Sequence, residues 1–132
     1  MPPFPGPFLN YVERVPLGVC GLVTPWNHPM LIAIKKIAPA LAAGNSIVCK
    51  PSEIAPCTVI DFASLLQEAG LPDGVFNVVA GPGPTVGRDL CQHSGLAKLD
   101  LTGGTETGRI AAAAAGTNLT GVVMELGGKA PM

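Results

Sequence analysis

The sequence predicts an α/β protein built on an open, parallel β-sheet of about five strands with flanking helices. Two observations lead to this fold class. Short apolar runs alternate along the chain with longer segments of helical periodicity, which is the pattern of β-α-β units. The 132 residues are 48% hydrophobic but only 5% aromatic, and they include 17 glycines and 14 prolines. This composition suits close packing of helices against a sheet with frequent turns.

The individual elements follow from the apolar runs and from the glycines and prolines between them. In the first helix, Lys35 and Lys36 are expected on the exposed face, and Pro39 is expected to kink or end the helix. The strands are predicted over residues 19–24, 46–49, 75–79, 97–101 and 121–126. The helices are predicted over 29–43, over 56–69, from a turn at 81–87 to about residue 93, and from a turn at 102–108 through the alanines at 111–115.

The first eighteen residues contain five prolines. They predict an extended, Pro-rich arm over 1–18, followed by one α/β domain over 19–132. The net charge of −1 gives no electrostatic argument for binding nucleic acid or an acidic membrane. No signal peptide is recognisable, and the uncharged stretch over 15–34 contains too many prolines and glycines for a membrane span.

Three of the four cysteines lie among apolar or small residues, which predicts buried side chains. No Cys-x-x-Cys pair occurs, and the two histidines are far apart in the sequence, so no metal site is predicted. Without a disulfide pattern, a reducing compartment is expected, and cytoplasmic localisation follows from it.

Ligands of open parallel sheets bind at the carboxyl ends of the strands, and every predicted strand here ends in polar or glycine-rich residues. Two of these ends, 81–87 and 102–108, are glycine turns entering helices, where backbone N–H groups can hold an anion. Neither turn has the spacing of the dinucleotide fingerprint or of a P-loop, so ordinary turns and helix caps remain the alternative. The five strand ends together favour a nucleotide or cofactor site on a Rossmann-like sheet.

Side chains at other strand ends allow two interpretations each. The amide of Asn27 can donate to an oxyanion, or it can close an Asx turn. Glu53 can accept from both hydroxyls of a ribose and repel a 2′-phosphate, with Lys50 donating beside it, or the two can form a solvated charge pair. Glu125 ends an apolar strand, where a partly desolvated carboxylate suits a general acid or base. Alternatively, it caps a helix or pairs with a lysine, of which Lys129 is the nearest.

Five motifs taken in order resemble those of the aldehyde dehydrogenase superfamily. They are TPWN at 24–27, KPSE at 50–53, GLPDGVFNVVAGPG at 70–83, LTGGTETG at 101–108 and ELGGK at 125–129. The resemblance covers nearly the whole chain and is nearest to the NAD-dependent, betaine-aldehyde-like branch. It implies NAD as the cofactor, with aldehyde oxidised to carboxylic acid through a thioester.

The resemblance also implies roles for individual residues. Asn27 would supply the oxyanion donor and Glu125 the general base. The residues implied in cofactor binding are Trp26, Lys50, Ser52, Glu53, Gly83, Gly103, Gly104, Thr105, Glu106, Gly108, Leu126 and Gly127. The preference for NAD over NADP rests on Glu53.

The chain departs from the family at two points. Gly104 stands where the family often has serine, so one hydroxyl contact to a phosphate is in doubt. The family's catalytic cysteine lies a few dozen residues beyond the ELGGK motif, and none of the four cysteines matches it. We therefore expect the cofactor-binding portion of an aldehyde-oxidising enzyme, a homo-oligomer at full length and inactive as this fragment. The alternative is a non-catalytic nucleotide-binding or interaction module derived from that family.

Overall fold

The computed structural model describes Gly6 and residues 9–128 of the chain. These residues form five strands in one parallel sheet, four α-helices and one π-helical turn, which confirms the predicted α/β class. The strands are β1 (Val19–Val23), β2 (Ser46–Lys50), β3 (Phe76–Val78), β4 (Lys98–Gly103) and β5 (Gly121–Leu126). The helices are α1 (Pro29–Ala42), α2 (Cys57–Glu68), α3 (Arg88–Cys91) and α4 (Thr105–Gly116), and the π-helical turn Gly83–Gly87 precedes α3.

The strands lie in the order β3-β2-β1-β4-β5, and all four neighbouring pairs are parallel. The chain adds β2 and β3 on one side of β1, then crosses to the other side for β4 and β5. This reversal places a topological switch point between β1 and β4. In open α/β sheets, the crevice outside the carboxyl ends at such a point is the usual ligand site.

The sheet is covered on both faces near its centre, and side chains of successive strand residues enter two different cores. One core lies under α1 and α2, and the other under α3 and α4. The first consists of Cys20, Leu22, Ala33, Ile37, Ile47, Cys49 and Val59. The second consists of Leu90, Cys91, Leu96, Leu99, Leu101, Ala111 and Ala115. Coverage of both faces explains why the strands read as nearly continuous apolar runs.

Helix α1 spans Pro29–Ala42, close to the predicted 29–43, and differs from its prediction at Lys36. Of the two effects expected of Pro39, it does not end the helix, and Ala40 and Leu41 after it pack against the first core. The chain leaves the helix at Gly44, whose φ of +78° is readily adopted by glycine. Lys36, expected to be exposed, is buried. Its ammonium group forms an ion pair with Asp100 of β4, a counter-charge 64 residues further along the chain.

The predicted turn over 102–108 is also wrong in its extent. Thr102 and Gly103 belong to β4, where they pair with Glu125 and Leu126 of β5. Helix α4 begins at Thr105, so a single residue separates strand from helix. The pairing with β5 extends β4 beyond its apolar run, which is why the apolar pattern alone ended the strand too early.

Residues 9–17 contain no helix or strand. Where this segment meets β1, the buried Asn45 accepts hydrogen bonds through Oδ1 from the backbone N–H groups of Leu17 and Gly18, at 2.6 and 3.1 Å. Its Nδ2 donates to the carbonyl of Ala40 at 3.1 Å. Residues 1–5, 7 and 8 of the predicted arm lie outside the described residues. Within the described part of the chain, no helix has the length and apolar character needed to cross a membrane.

Candidate functional site

The N-terminus of α4 lies at the carboxyl end of β4, on one side of the switch point. Gly104 is the N-cap residue, with extended backbone (φ −67°, ψ 151°) and no side chain to cap the helix. The first intrahelical bond runs from the Gly108 N–H to the Gly104 carbonyl at 2.9 Å. The N–H groups before it, from Thr105 onward, therefore have no partner within the helix. A Cβ on Gly104 would meet nothing within 4 Å, so there is open space beside the N-cap residue.

The ends of β4, β5 and α4 are joined in one contact network. The Gly127 N–H donates to the Gly103 carbonyl at 3.1 Å, and the Thr105 hydroxyl donates to the Gly127 carbonyl at 3.1 Å. A Cβ on Gly108 would lie 2.8 Å from Leu126 Cδ1 and closer still to Cδ2. Glycine at 108 thus permits the close approach of helix and strand. The predicted cofactor residues on this side of the switch point lie together.

A second group lies at the end of β2, on the other side of β1. Lys50 is only 5% exposed, and its Nζ lies 3.5 Å from Glu53 Oε2. The same carboxylate oxygen accepts a hydrogen bond of 2.8 Å from the Gly83 N–H. The alternative interpretation, a solvated charge pair, fits only one of the two residues. The Glu53 side chain is 51% exposed, whereas Lys50 is buried. Ser52 accepts from the Ile54 N–H at 3.4 Å, so its hydroxyl caps the local turn.

Trp26 and Asn27 follow β1, and the strand order puts that end of the sheet between the two groups. Both side chains are exposed. Asn27 Oδ1 accepts from the His28 N–H at 3.1 Å, and no described residue accepts from its NH₂ group. The amide is therefore oriented with its donor end available. The hydroxyl of Thr24, next to β1, is buried and has no hydrogen-bond partner among the described residues.

Glu125 lies near the end of β5 and is exposed, so the expected partial desolvation is wrong for the described residues. The reason is that, among the described residues, β5 is an edge strand with a neighbour only on the β4 side. Its side chain borders a cleft of about 460 Å³ that is also lined by Thr102, Asp100 and Lys36. Lys129, the predicted alternative partner, lies outside the described residues. Glu106, which the resemblance places among the cofactor-binding residues, forms an exposed ion pair in which its Oε2 lies 3.1 Å from Arg109 Nη1.

The Lys36–Asp100 pair in this cleft is the feature that sequence reasoning missed. The available signal was Asp100, a carboxylate between Leu99 and Leu101 in the predicted strand over 97–101, because a charge on a buried strand needs a partner.

The three buried cysteines are Cys20, Cys49 and Cys91, and Cys57 is exposed. Burial raises the pKa of the Cys49 thiol to about 12, despite an opposing effect of the Lys36 charge. Burial also raises the pKa of the Cys20 and Cys91 thiols. These thiols remain protonated at neutral pH and are unsuited to nucleophilic attack. Among the described residues, no cluster of three or more potential ligands could hold a metal ion.

The family model "Aldehyde dehydrogenase family" matches residues 3–132, nearly the whole chain. The chain belongs to the aldehyde dehydrogenase family. Human aldehyde dehydrogenase 1A1 is 48% identical over 130 residues, which are 98% of this chain and 26% of that protein. Betaine aldehyde dehydrogenase of Bacillus subtilis (strain 168) is 54% identical over 120 residues, which are 91% of this chain and 24% of that protein.

Solved structures of the family share the same fold. Betaine aldehyde dehydrogenase from Staphylococcus aureus, in complex with NAD+, superposes with a TM-score of 0.84 at 46% sequence identity. The match covers 86% of this chain and 22% of that one. The chain thus spans about a quarter of the length of the aldehyde dehydrogenases it matches.

Proposed function

We propose that residues 19–132 form the NAD-binding domain of an aldehyde dehydrogenase, with NAD lying across the carboxyl ends of the strands. One observation carries the proposal: the two groups of predicted cofactor residues flank β1 at the switch point of the sheet. The NAD complexes among the structural relatives support the same cofactor. The exposed Trp26 lies between the two groups, where a bound dinucleotide would pass.

The residues present fit the chemical parts of a dinucleotide. The open, uncapped N-terminus of α4 suits a pyrophosphate, because its N–H groups and the helix dipole both favour an anion. At the end of β2, the Lys50 ammonium can donate to a ribose hydroxyl and the Glu53 carboxylate can accept from one. Leu126 and Gly127, held against Gly103 and Thr105, would lie beside the nicotinamide. NAD supplies one chemical capability when bound, the acceptance of a hydride.

We further propose that Asn27 and Glu125 serve the oxidation of an aldehyde to a carboxylic acid through a thioester. The NH₂ group of Asn27 can donate to the oxygen of a substrate carbonyl as negative charge develops on it. The Glu125 carboxylate can take a proton from a thiol or from the water that hydrolyses the thioester. The thiol is assigned to none of the four cysteines. The same proposal includes an aldehyde as the small-molecule substrate of the whole enzyme, homo-oligomerisation of that enzyme and cytoplasmic localisation.

The proposal is tested by titrating the 132-residue chain with NAD, using calorimetry and the fluorescence of Trp26, the only tryptophan. We expect saturable binding of one NAD per chain. Gly108→Ala should weaken it about fivefold, because the new methyl displaces Leu126 at the proposed nicotinamide end. Gly116→Ala is the matched control, since it lies on the same helix with open space around it. Absence of saturable NAD binding by the folded wild-type chain would contradict the proposed function.

A further inference from the structure

We propose that the backbone N–H of Gly83 is a positioning group for cofactor selectivity. It anchors the Glu53 carboxylate at the end of β2, so that this site accepts a ribose with a free 2′-hydroxyl and rejects a 2′-phosphate. The inference rests on the proposed NAD site and adds to it a residue that acts through Glu53.

The contact joins two segments that are 30 residues apart. The Gly83 N–H donates to Glu53 Oε2 at 2.8 Å, and Lys50 Nζ lies 3.5 Å from that same oxygen. Glu53 follows the strand in a turn, and its side chain is half exposed. A half-exposed glutamate on a turn has several rotamers available. Two contacts to Oε2 hold Glu53 in one rotamer, and the Gly83 hydrogen bond is the shorter and more directional of the two.

Within residues 82–84, Gly83 is the one residue that has a backbone N–H to donate. Its neighbours are Pro82 and Pro84, and neither has an N–H. Gly83 is also the first residue of the π-helical turn, so its N–H has no partner within that turn. Pro82 is extended, with ψ of 145°, and this directs the next N–H away from the turn and toward Glu53.

The charges explain why the position of the carboxylate matters for selectivity. Lys50 is buried and forms its ion pair with Glu53, so the two groups together present one acceptor and one donor to a ribose. A 2′-phosphate would bring two further negative charges toward the carboxylate. A mobile Glu53 could turn into solvent and relieve that repulsion, whereas an anchored Glu53 cannot. Loss of the anchor should thus favour NADP relative to NAD.

The test compares Gly83→Pro with Gly83→Ala in the 132-residue chain. Proline removes the N–H, and the extended Pro82 already has the conformation required before a proline. Alanine keeps the N–H and adds a side chain where nothing lies within 4 Å. The difference between the two variants therefore isolates the hydrogen bond. We measure the dissociation constants of NAD and NADP for both, together with thermal unfolding.

We expect the preference for NAD over NADP to be about tenfold lower in Gly83→Pro than in Gly83→Ala, as for the loss of a hydrogen bond to a charged group. In a Glu53→Ala background, the same two substitutions should give equal preferences, because the anchored group is gone. Equal preferences in the presence of Glu53 would overturn the inference while leaving NAD binding intact. A wild-type chain that bound neither cofactor would overturn the proposed function itself.

A measurement without cofactor keeps the inference testable if Gly83→Pro does not fold. In the ¹⁵N-labelled wild-type chain, the Gly83 amide should exchange slowly with solvent, and Glu53→Ala should make it exchange at least tenfold faster. Exchange at the same rate in both chains would show that Glu53 is not anchored there and would overturn the inference.

Discussion

Removal of Asp100 tests how the buried ion pair contributes to stability. The Lys36 side chain is 6% exposed and that of Asp100 is 23% exposed. Asp100→Ala leaves the Lys36 ammonium in the interior without its counter-charge. Loss of one partner of a fully buried pair costs about 3–5 kcal/mol of the free energy of unfolding. Because the cleft beside Asp100 admits some water, we expect a smaller loss of about 2–3 kcal/mol.

Removal of Lys36 should cost less stability than removal of Asp100. Lys36→Met keeps an apolar stem in the same space and leaves Asp100 alone, and Asp100 can be hydrated because it is partly exposed. We expect this variant to lose about 1–2 kcal/mol, less than Asp100→Ala. In the double variant no unpaired charge remains, so its stability should return to within about 1 kcal/mol of the wild type.

The assay is urea unfolding followed by far-UV circular dichroism. With an m-value of about 1.5 kcal/mol/M, a loss of about 2–3 kcal/mol in Asp100→Ala should lower the midpoint by about 1.3–2 M. Glu106→Ala is the control, because Glu106 and Arg109 form an ion pair with both side chains about three-quarters exposed, and its loss should cost at most about 0.5 kcal/mol. If Asp100→Ala were no more destabilising than Glu106→Ala, the argument from burial would be refuted.

Three further predictions concern other buried groups. At pH 8, a thiol reagent should modify Cys57 quickly and the other three cysteines only after denaturation; four equal rates would contradict the burial pattern. Burial raises the pKa of Cys49 to about 12 in the folded state, so the unfolded chain loses this thiol proton more readily above about pH 8.5. The free energy of unfolding should therefore decline as the pH rises from about 8.5 toward 12. Urea midpoints at pH 7.5 and 10 should show this decline, and Cys49→Ala should make it shallower. Asn45→Ala should lower the free energy of unfolding by about 2–4 kcal/mol, because two backbone N–H groups lose their acceptor. Asn118→Ala is the control, because Asn118 is exposed and its one hydrogen bond to the Gln92 carbonyl should cost clearly less to lose.

The positions of the elements were predictable from the sequence because they depend on local patterns. The fifth strand was predicted over the residues that form it, Gly121–Leu126. The end of β4 was not predictable, since the pairing of Thr102 and Gly103 with β5 extends the strand past its apolar run. The burial of Lys36 depends on Asp100, which only the assembled sheet brings near. Strand order belongs to the same class of non-local properties.

In the candidate site, too, features within a short segment could be predicted and contacts between distant segments could not. Lys50 and Glu53 are three residues apart and could be recognised together, but their contact with Gly83 depends on how β3 pairs with β2. In that register Cys49 lies opposite Val78, and the Val79 N–H donates to the Cys49 carbonyl at 2.9 Å. The carboxyl ends of β2 and β3 therefore lie side by side, and the segment from β3 to Gly83 passes next to Glu53.

The geometry of the ribose end of the site thus depends on sheet register. A slip of β3 by one residue would shift its end by about 3.3 Å along the strand and turn its side chains to the opposite faces. A hydrogen bond of 2.8 Å between Gly83 and Glu53 could not survive such a shift. The packing of Phe76 and Val78 against the first core opposes the slip, because it would bring the exposed Asn77 into their place. Core residues far from any ligand thereby determine where the Glu53 carboxylate is held.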